Sequence, residues 1–261
     1  MMRSFTVLLW SSLKVVRHLV TAGVLNRWRE SRFGPLWVLF NPFSSLLIYW
    51  FIFKNFMGRG DKLYLSYLCV GLLLWHMLKT ALDIGISTLP YKIQALKNFS
   101  FRPLLFNISW AIEYYGYYLT AMVLLIGISF FNPFLDLTWQ GFILSLPAQM
   151  IWLVATSALV HLLSLLNVIL RDVKFIVDFA FRLLFLMTPI LYRSESISTL
   201  SMVNEWNPLY YLMRPFYLSY DLIEGDYFTA LVQSFCVAFI ILIFSMVAEF
   251  KIGRKVYQYE H

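Results

Sequence analysis

The chain has 261 residues, 60% of them hydrophobic and only 13% charged, whereas a soluble globular domain carries about 45–50% apolar and about 25% charged residues. A mean hydropathy of +0.70, a net charge of +7 and two cysteines exclude a disordered chain, a secreted disulfide scaffold and a nucleic-acid-binding domain. What remains is an all-α polytopic membrane protein, built from helices of about 20 apolar residues each.

Residues 1–35 are not apolar enough to span. Leu8, Leu9, Leu13, Val16, Leu19, Val20 and Val24 recur at helical spacing, with Lys14, Arg17, His18 and Thr21 between them. This pattern predicts an amphipathic helix lying in the membrane interface; the plainer alternative is a cytosolic helix packed on a partner. The opening Met1-Met2-Arg3 and the apolar run after it are broken by Ser11, Ser12, Lys14 and Arg17 without a small-residue cleavage site, so the segment is read as mature protein. Gly34-Pro35 then ends the helix.

Six spans are expected, at about 36–57, 64–86, 104–131, 142–167, 175–192 and 229–249. Spans one to five thus fill 36–192, an external segment follows at 193–228, span six takes 229–250, and 251–261 form a tail, all within one domain of residues 1–261. With both termini inside, cytosolic segments hold fourteen basic residues and the external ones only Arg59, Lys62, Arg193 and Arg214. That asymmetry orients the chain N-in, C-in, as a multi-pass membrane protein. Asp61, Asp136, Glu195, Glu205, Asp221, Glu224 and Asp226 all fall outside.

Two connections are unusual. Residues 87–103 are bounded by Pro90 and Pro103, with about two turns of good helix former between them, and Tyr91, Ile93, Leu96, Phe99 and Phe101 make the stretch too apolar for a plain solvated connector. It is predicted to form a short helix held at the cytosolic surface, a contact for a peripheral partner. Between Trp206 and Tyr220 the external segment is apolar and aromatic but too short and interrupted to span, which suits a re-entrant helical hairpin.

Ionisable residues inside spans are expensive in lipid and so are candidates by default. Lys79 with Asp83, and Asp178 with Arg182, are four apart and predict intrahelical pairs. Glu113 has no partner in sequence, and Lys54 is expected to snorkel outward. Cys69 and Cys236 sit in apolar runs and read as small buried hydrophobes. The four histidines show no metal spacing, and no glycine precedes a lysine, so there is no P-loop. Any pumping must draw on an ion gradient or a separate subunit. The midplane acids and internal repeats of a proton-coupled carrier are lacking.

Aromatic residues make up 19% of the chain. Part of this is an interfacial belt, but Tyr114-Tyr115 with Tyr117-Tyr118, and Tyr210-Tyr211 with Tyr217 and Tyr220, exceed one. Flat rings with a polar edge suit sugars; belt or helix packing is the plainer role for any single tyrosine.

Arg27, Ser31, Gly34, Trp37 and Pro42 resemble the basic signature that leads into the first span of ABC-2 type permeases, with Trp28 and Phe33 where the family has Tyr and Leu. Residues 90–103 resemble that family's coupling region, Asn167 to Arg171-Asp172 its Arg-Asp motif, and Thr188-Pro189-Ile190-Leu191-Tyr192 with Asn207-Pro208-Leu209 the motifs flanking its external re-entrant helices. Within the family, the branch exporting O-antigen and related polysaccharides is most similar. The resemblance implies a homodimeric six-span channel with two copies of a cytosolic ATPase, which carries the ATP and Mg, so that this chain binds no cofactor and catalyses no reaction. It implies coupling through Tyr91, Lys92, Ile93, Gln94, Leu96 and Lys97, and as cargo a polysaccharide on an undecaprenyl-diphosphate carrier. Arg27, Arg29 and Arg32 are candidates for the lipid diphosphate through charge-assisted hydrogen bonds, beside a plain topological role. Glu113, Tyr114, Tyr117, Tyr118, Tyr210 and Tyr211 are candidates for the channel wall. Membrane lipids are the other expected partners, and nucleic acid is not one. Two alternatives stay open: an exporter of small lipids or drugs, and a membrane enzyme on polyprenyl-linked sugars with Glu113 or Asp172 as its acid or base.

Overall fold

The computed structural model describes residues 2–34, 36–57, 62–98, 103–132, 135–192 and 204–253, and these are all-helical. The elements are α1 (Met2–Glu30), α2 (Leu36–Met57), α3 (Lys62–Asn98), α4 (Pro103–Ser129), α5 (Trp139–Leu144), α6 (Leu146–Ile169), α7 (Val173–Met187), α8 (Pro208–Ser219), α9 (Tyr227–Ala248) and a π-helical turn, Glu249–Gly253.

The bundle is organised around α3, which packs on α4 and α6 while α6 packs on α9 and α4. Its Tyr67, Leu72, Leu74 and Leu82 are fully buried, in one apolar cluster with Met122 of α4, Trp152 of α6 and Phe216 of α8. A helix apolar all round must be a buried one, and the second span is the most enclosed of the candidate spans. α1 lies along α4 with Val16 buried and Lys14, Arg17 and His18 exposed. Between α1 and α2, Gly34 adopts φ 44°, and a Cβ there would stand 2.8 Å from the Trp28 ring, so the turn demands glycine.

Among the described residues four helices are long and apolar enough to cross a membrane: Leu63–Lys92, Pro103–Ser129, Leu146–Ile169 and Tyr227–Ile252. They match four of the six expected spans. The other two are shorter. The apolar part of α2 is Leu36–Ile52, and α7 has 15 residues, about 22 Å against a hydrocarbon core of about 30 Å. α7 ends at Met187 because Thr188-Pro189 leaves the helix, and 188–192 run on as irregular backbone. Such backbone needs protein partners, and it has them. Tyr67 donates to the Pro189 carbonyl, Tyr217 donates to the same oxygen at 3.1 Å, and Tyr64 donates to Leu191 at 2.9 Å. The Tyr67 and Tyr217 rings stack with centroids 4.1 Å apart, and Asn207 Nδ2 donates to Thr188 Oγ1 at 2.8 Å. Two motifs nineteen residues apart in sequence are thus one hydrogen-bonded unit.

The short helix expected after Pro90 is present, but as the end of α3 and not as an element of its own. α3 runs unbroken through Pro90 to Asn98. A proline inside a helix removes the amide that would bond the carbonyl four residues back, here Ile86. That carbonyl accepts instead from Asn167 Nδ2 of α6 at 3.0 Å, so the helix continues without an orphaned group. A second difference concerns the cysteines: Cys69 is buried as expected, but Cys236 is exposed on α9, and both are free.

Candidate functional site

Where α1 ends, its last turns meet α2, α3 and α4 around a cavity of about 210 Å³. Arg27, His76, Thr80, Tyr114, Tyr117 and Tyr118 give it a polar wall, and Trp37, Leu39, Leu73 and Ala121 an apolar one. The tyrosines come from consecutive turns of α4; residues three and four apart share a helix face, which is why Tyr114, Tyr117 and Tyr118 converge.

Arg27 anchors the site. Its Nε donates to Glu113 Oε1 at 2.9 Å and its Nη2 donates to the Tyr114 hydroxyl. The Glu113 side chain is 1% exposed and that of Arg27 22%, so the carboxylate is sealed while the guanidinium keeps an edge toward the cavity. Burial pulls the Arg27 pKa down, but the Tyr114 hydroxyl and the Glu113 carboxylate outweigh it and hold the group above its ordinary value. α1 approaches closely enough for this pair because residue 23 is glycine: a Cβ there would collide with the Glu113 carboxylate.

The hydroxyls of Tyr117 and Tyr118 are buried and have no hydrogen-bond partner among the described residues. An unsatisfied buried hydroxyl costs about 1–3 kcal/mol, so two of them on one cavity wall mark a place for polar atoms. A guanidinium edge, two free hydroxyls and flat apolar rings together suit an anionic group with a carbohydrate or lipid portion attached.

The structure divides the other expected site residues. Glu113, unpaired in the sequence, is paired with Arg27 and does not line the cavity. Arg29 and Arg32 are exposed outside it. Tyr210 and Tyr211 lie on α8, away from the cavity; their rings meet edge-on at 5.3 Å and Tyr211 donates to the Glu205 carbonyl. Tyr91 is 87% exposed and Lys92 is exposed, on the continuous α3; the side chains of Ile93, Gln94, Leu96 and Lys97 lie outside the described residues.

Charged pairs also differ from expectation. Lys79 does bond Asp83 on its own helix, but it also bonds Asp178 at 2.7 Å. Asp178 thereby joins α7 to α3 rather than simply meeting Arg182. The sequence likewise gave no sign that His161 would sit between Asn107 and Glu249, because the three lie on different helices. His76 and Thr80 were not anticipated either. Their signal was available: they are polar residues four apart on an otherwise apolar span. Among the described residues no group of His, Cys, Asp or Glu is arranged to hold a metal ion.

Comparison with known proteins adds three relatives and one family. Residues 14–220 match the family described as ABC-2 type transporter. Two proteins of Klebsiella pneumoniae named O-antigen export system permease protein RfbA are similar, one 28% identical over 70% of this chain and 71% of its own, the other 27% identical over 79% and 82%. A protein of Myxococcus xanthus with the same name is 28% identical over 76% of each chain.

Proposed function

The chain belongs to the ABC-2 type transporter family, and from that premise we propose that it is the membrane permease of an ATP-driven exporter that moves a lipid-linked polysaccharide of the O-antigen kind. The observation that carries this reading is the Arg27 cavity, which joins one guanidinium to two unpartnered tyrosine hydroxyls and a wall of rings. Its chemistry fits a polyprenyl diphosphate bearing a sugar: the guanidinium takes phosphate oxygens through charge-assisted hydrogen bonds and the tyrosines take hydroxyls. Arg29 and Arg32, exposed one turn and more beyond, gather the anionic headgroup at the surface before it enters. The names of the three relatives support a glycan cargo.

In this reading the chain crosses the inner membrane six times with both termini in the cytosol, α1 lies in the cytosolic interface, and α8 re-enters from the outer side. The shorter α2 and α7 cross as well, inside a homodimer. Both present rows of exposed large side chains, Phe40, Leu47 and Phe51 on one and Phe175, Phe179 and Leu186 on the other, surfaces for a second copy. Two cytosolic ATPase subunits hold the ATP and Mg and press on the end of α3 at residues 91–98. Because that end continues the spanning helix without a break, a push there moves α3 as one rod of 37 residues.

The test is reconstitution with the ATPase subunit and a lipid-linked glycan. Arg27→Lys keeps a cation for Glu113 but loses the planar fork, and should lower export roughly tenfold, the scale of one charge-assisted hydrogen bond. Tyr117→Phe with Tyr118→Phe should lower it with no loss of folding. Unchanged export in both would remove the cavity from the pathway. Turnover of lipid-linked sugar by the permease alone would replace the transport reading with an enzyme.

A further inference from the structure

A second opening, of about 620 Å³, lies between α4, α6 and α9. Its length is apolar, with Ile108 and Ile112 on one side and Val154, Leu242 and Met246 on the other. Apart from Ser157 and Ser245, its polar lining is His161 and Glu249, where the groove meets the end of α9. There His161, 1% exposed, lies with Nδ1 3.1 Å from Asn107 Nδ2 and Nε2 3.1 Å from Glu249 Oε2. An amide nitrogen only donates, so Nδ1 accepts, the ring proton sits on Nε2 and is donated to Glu249. The imidazole thus hydrogen-bonds the Glu249 carboxylate, whose side chain is 31% exposed at the mouth of the groove. At this point α9 gives way to the π turn Glu249–Gly253, the kind of local widening that recurs at functional sites. Lys251 is exposed two residues further on.

We propose that this groove binds one chain of a membrane phospholipid with an ammonium headgroup, the ammonium against Glu249 and the lipid phosphate toward Lys251. Charge complementarity selects the occupant. A partly exposed carboxylate at the mouth attracts a primary ammonium and repels a diphosphate or an anionic phospholipid. The groove is thus opposite in sign to the Arg27 cavity and stands whether or not that cavity carries the cargo.

The experiment incorporates the full-length protein in vesicles of equal ethanolamine and glycerol phospholipid, extracts it in mild detergent and quantifies the retained lipids by mass spectrometry. Wild type should retain ethanolamine lipid roughly tenfold over glycerol lipid, and Glu249→Gln should bring the ratio to about one. Ile112→Trp fills the groove but leaves the His161–Glu249 pair in place, so it tests the site even if the first variant folds poorly; it should reduce the retained ethanolamine lipid. Equal retention of the two lipids by wild type, a preference for glycerol lipid, or full enrichment in both variants would overturn the assignment.

Discussion

Asn167 does for Ile86 what the helix itself cannot: its Nδ2 donates to the Ile86 carbonyl at 3.0 Å, the oxygen that Pro90 leaves without an amide. The same side chain accepts from the Lys174 amide at 3.1 Å, in the first turn of α7. One amide therefore ties the place where α3 passes from the bundle toward its exposed end to the start of α7. Both contacts are buried or half-buried.

Asn167→Leu should destabilise the protein by about 1–3 kcal/mol, the cost of an unsatisfied buried carbonyl, and should weaken coupling of ATP hydrolysis to export. Pro90→Ala returns an amide to Ile86, so the double variant should recover most of the stability. Thermal unfolding of the four proteins in detergent checks this as a double-mutant cycle; additive losses would refute the role given to Asn167.

Glu113→Ala leaves Arg27 half-buried without its carboxylate, and should cost about 3 kcal/mol. Gly23→Ala should be harmful for a different reason, because its Cβ drives α1 away from the same carboxylate. Limited proteolysis of α1 in the two variants separates a loosened helix from general unfolding.

Lys79 bridges Asp178 across to α7 with both side chains partly exposed, 23% and 34%. A pair of this kind contributes at most about 1 kcal/mol to stability, so a lone Asp178→Lys should change the melting temperature little. It should still impair export, by setting like charges between α3 and α7. The exchange Lys79→Asp with Asp178→Lys should restore export; failure to restore it would argue against a role for this contact.

Asp226 caps α9, accepting from the Thr229 amide at 2.7 Å. Hydrogen bonds from the Thr229 hydroxyl and amide hold its carboxyl below the ordinary value. A depressed folded pKa stabilises above the unfolded pKa, and the contribution is lost as pH falls through the folded one. The melting difference between wild type and Asp226→Ala should thus be full at neutral pH and fade in the acid range below the usual carboxylate value. A difference that persists at the lowest pH would show that the cap acts without its charge.

Much of the bundle could be read from composition. Long apolar runs have one stable answer in lipid, because every backbone group must be bonded within its own segment, and four expected spans are present at nearly the expected places. The convergence of Tyr114, Tyr117 and Tyr118 was also legible, since helical periodicity alone puts them on one face. Pro90 misled for a local reason: a proline ends a helix unless something else takes the freed carbonyl, and that something is 81 residues away. Arg27 with Glu113, Lys79 with Asp178, and His161 with Glu249 were beyond reach in the same way. The spacing rules for ion pairs reach only one helical turn.

By itself, then, the sequence determined that the chain is helical, membrane-bound and lacking a P-loop motif, because hydrophobicity and motif spacing are properties of neighbours along the chain. Only the tertiary structure decided which charges are spent on one another and which face a cavity. Inside an apolar bundle a charge takes whatever partner the packing brings within about 3 Å, and packing is settled between helices, not along them.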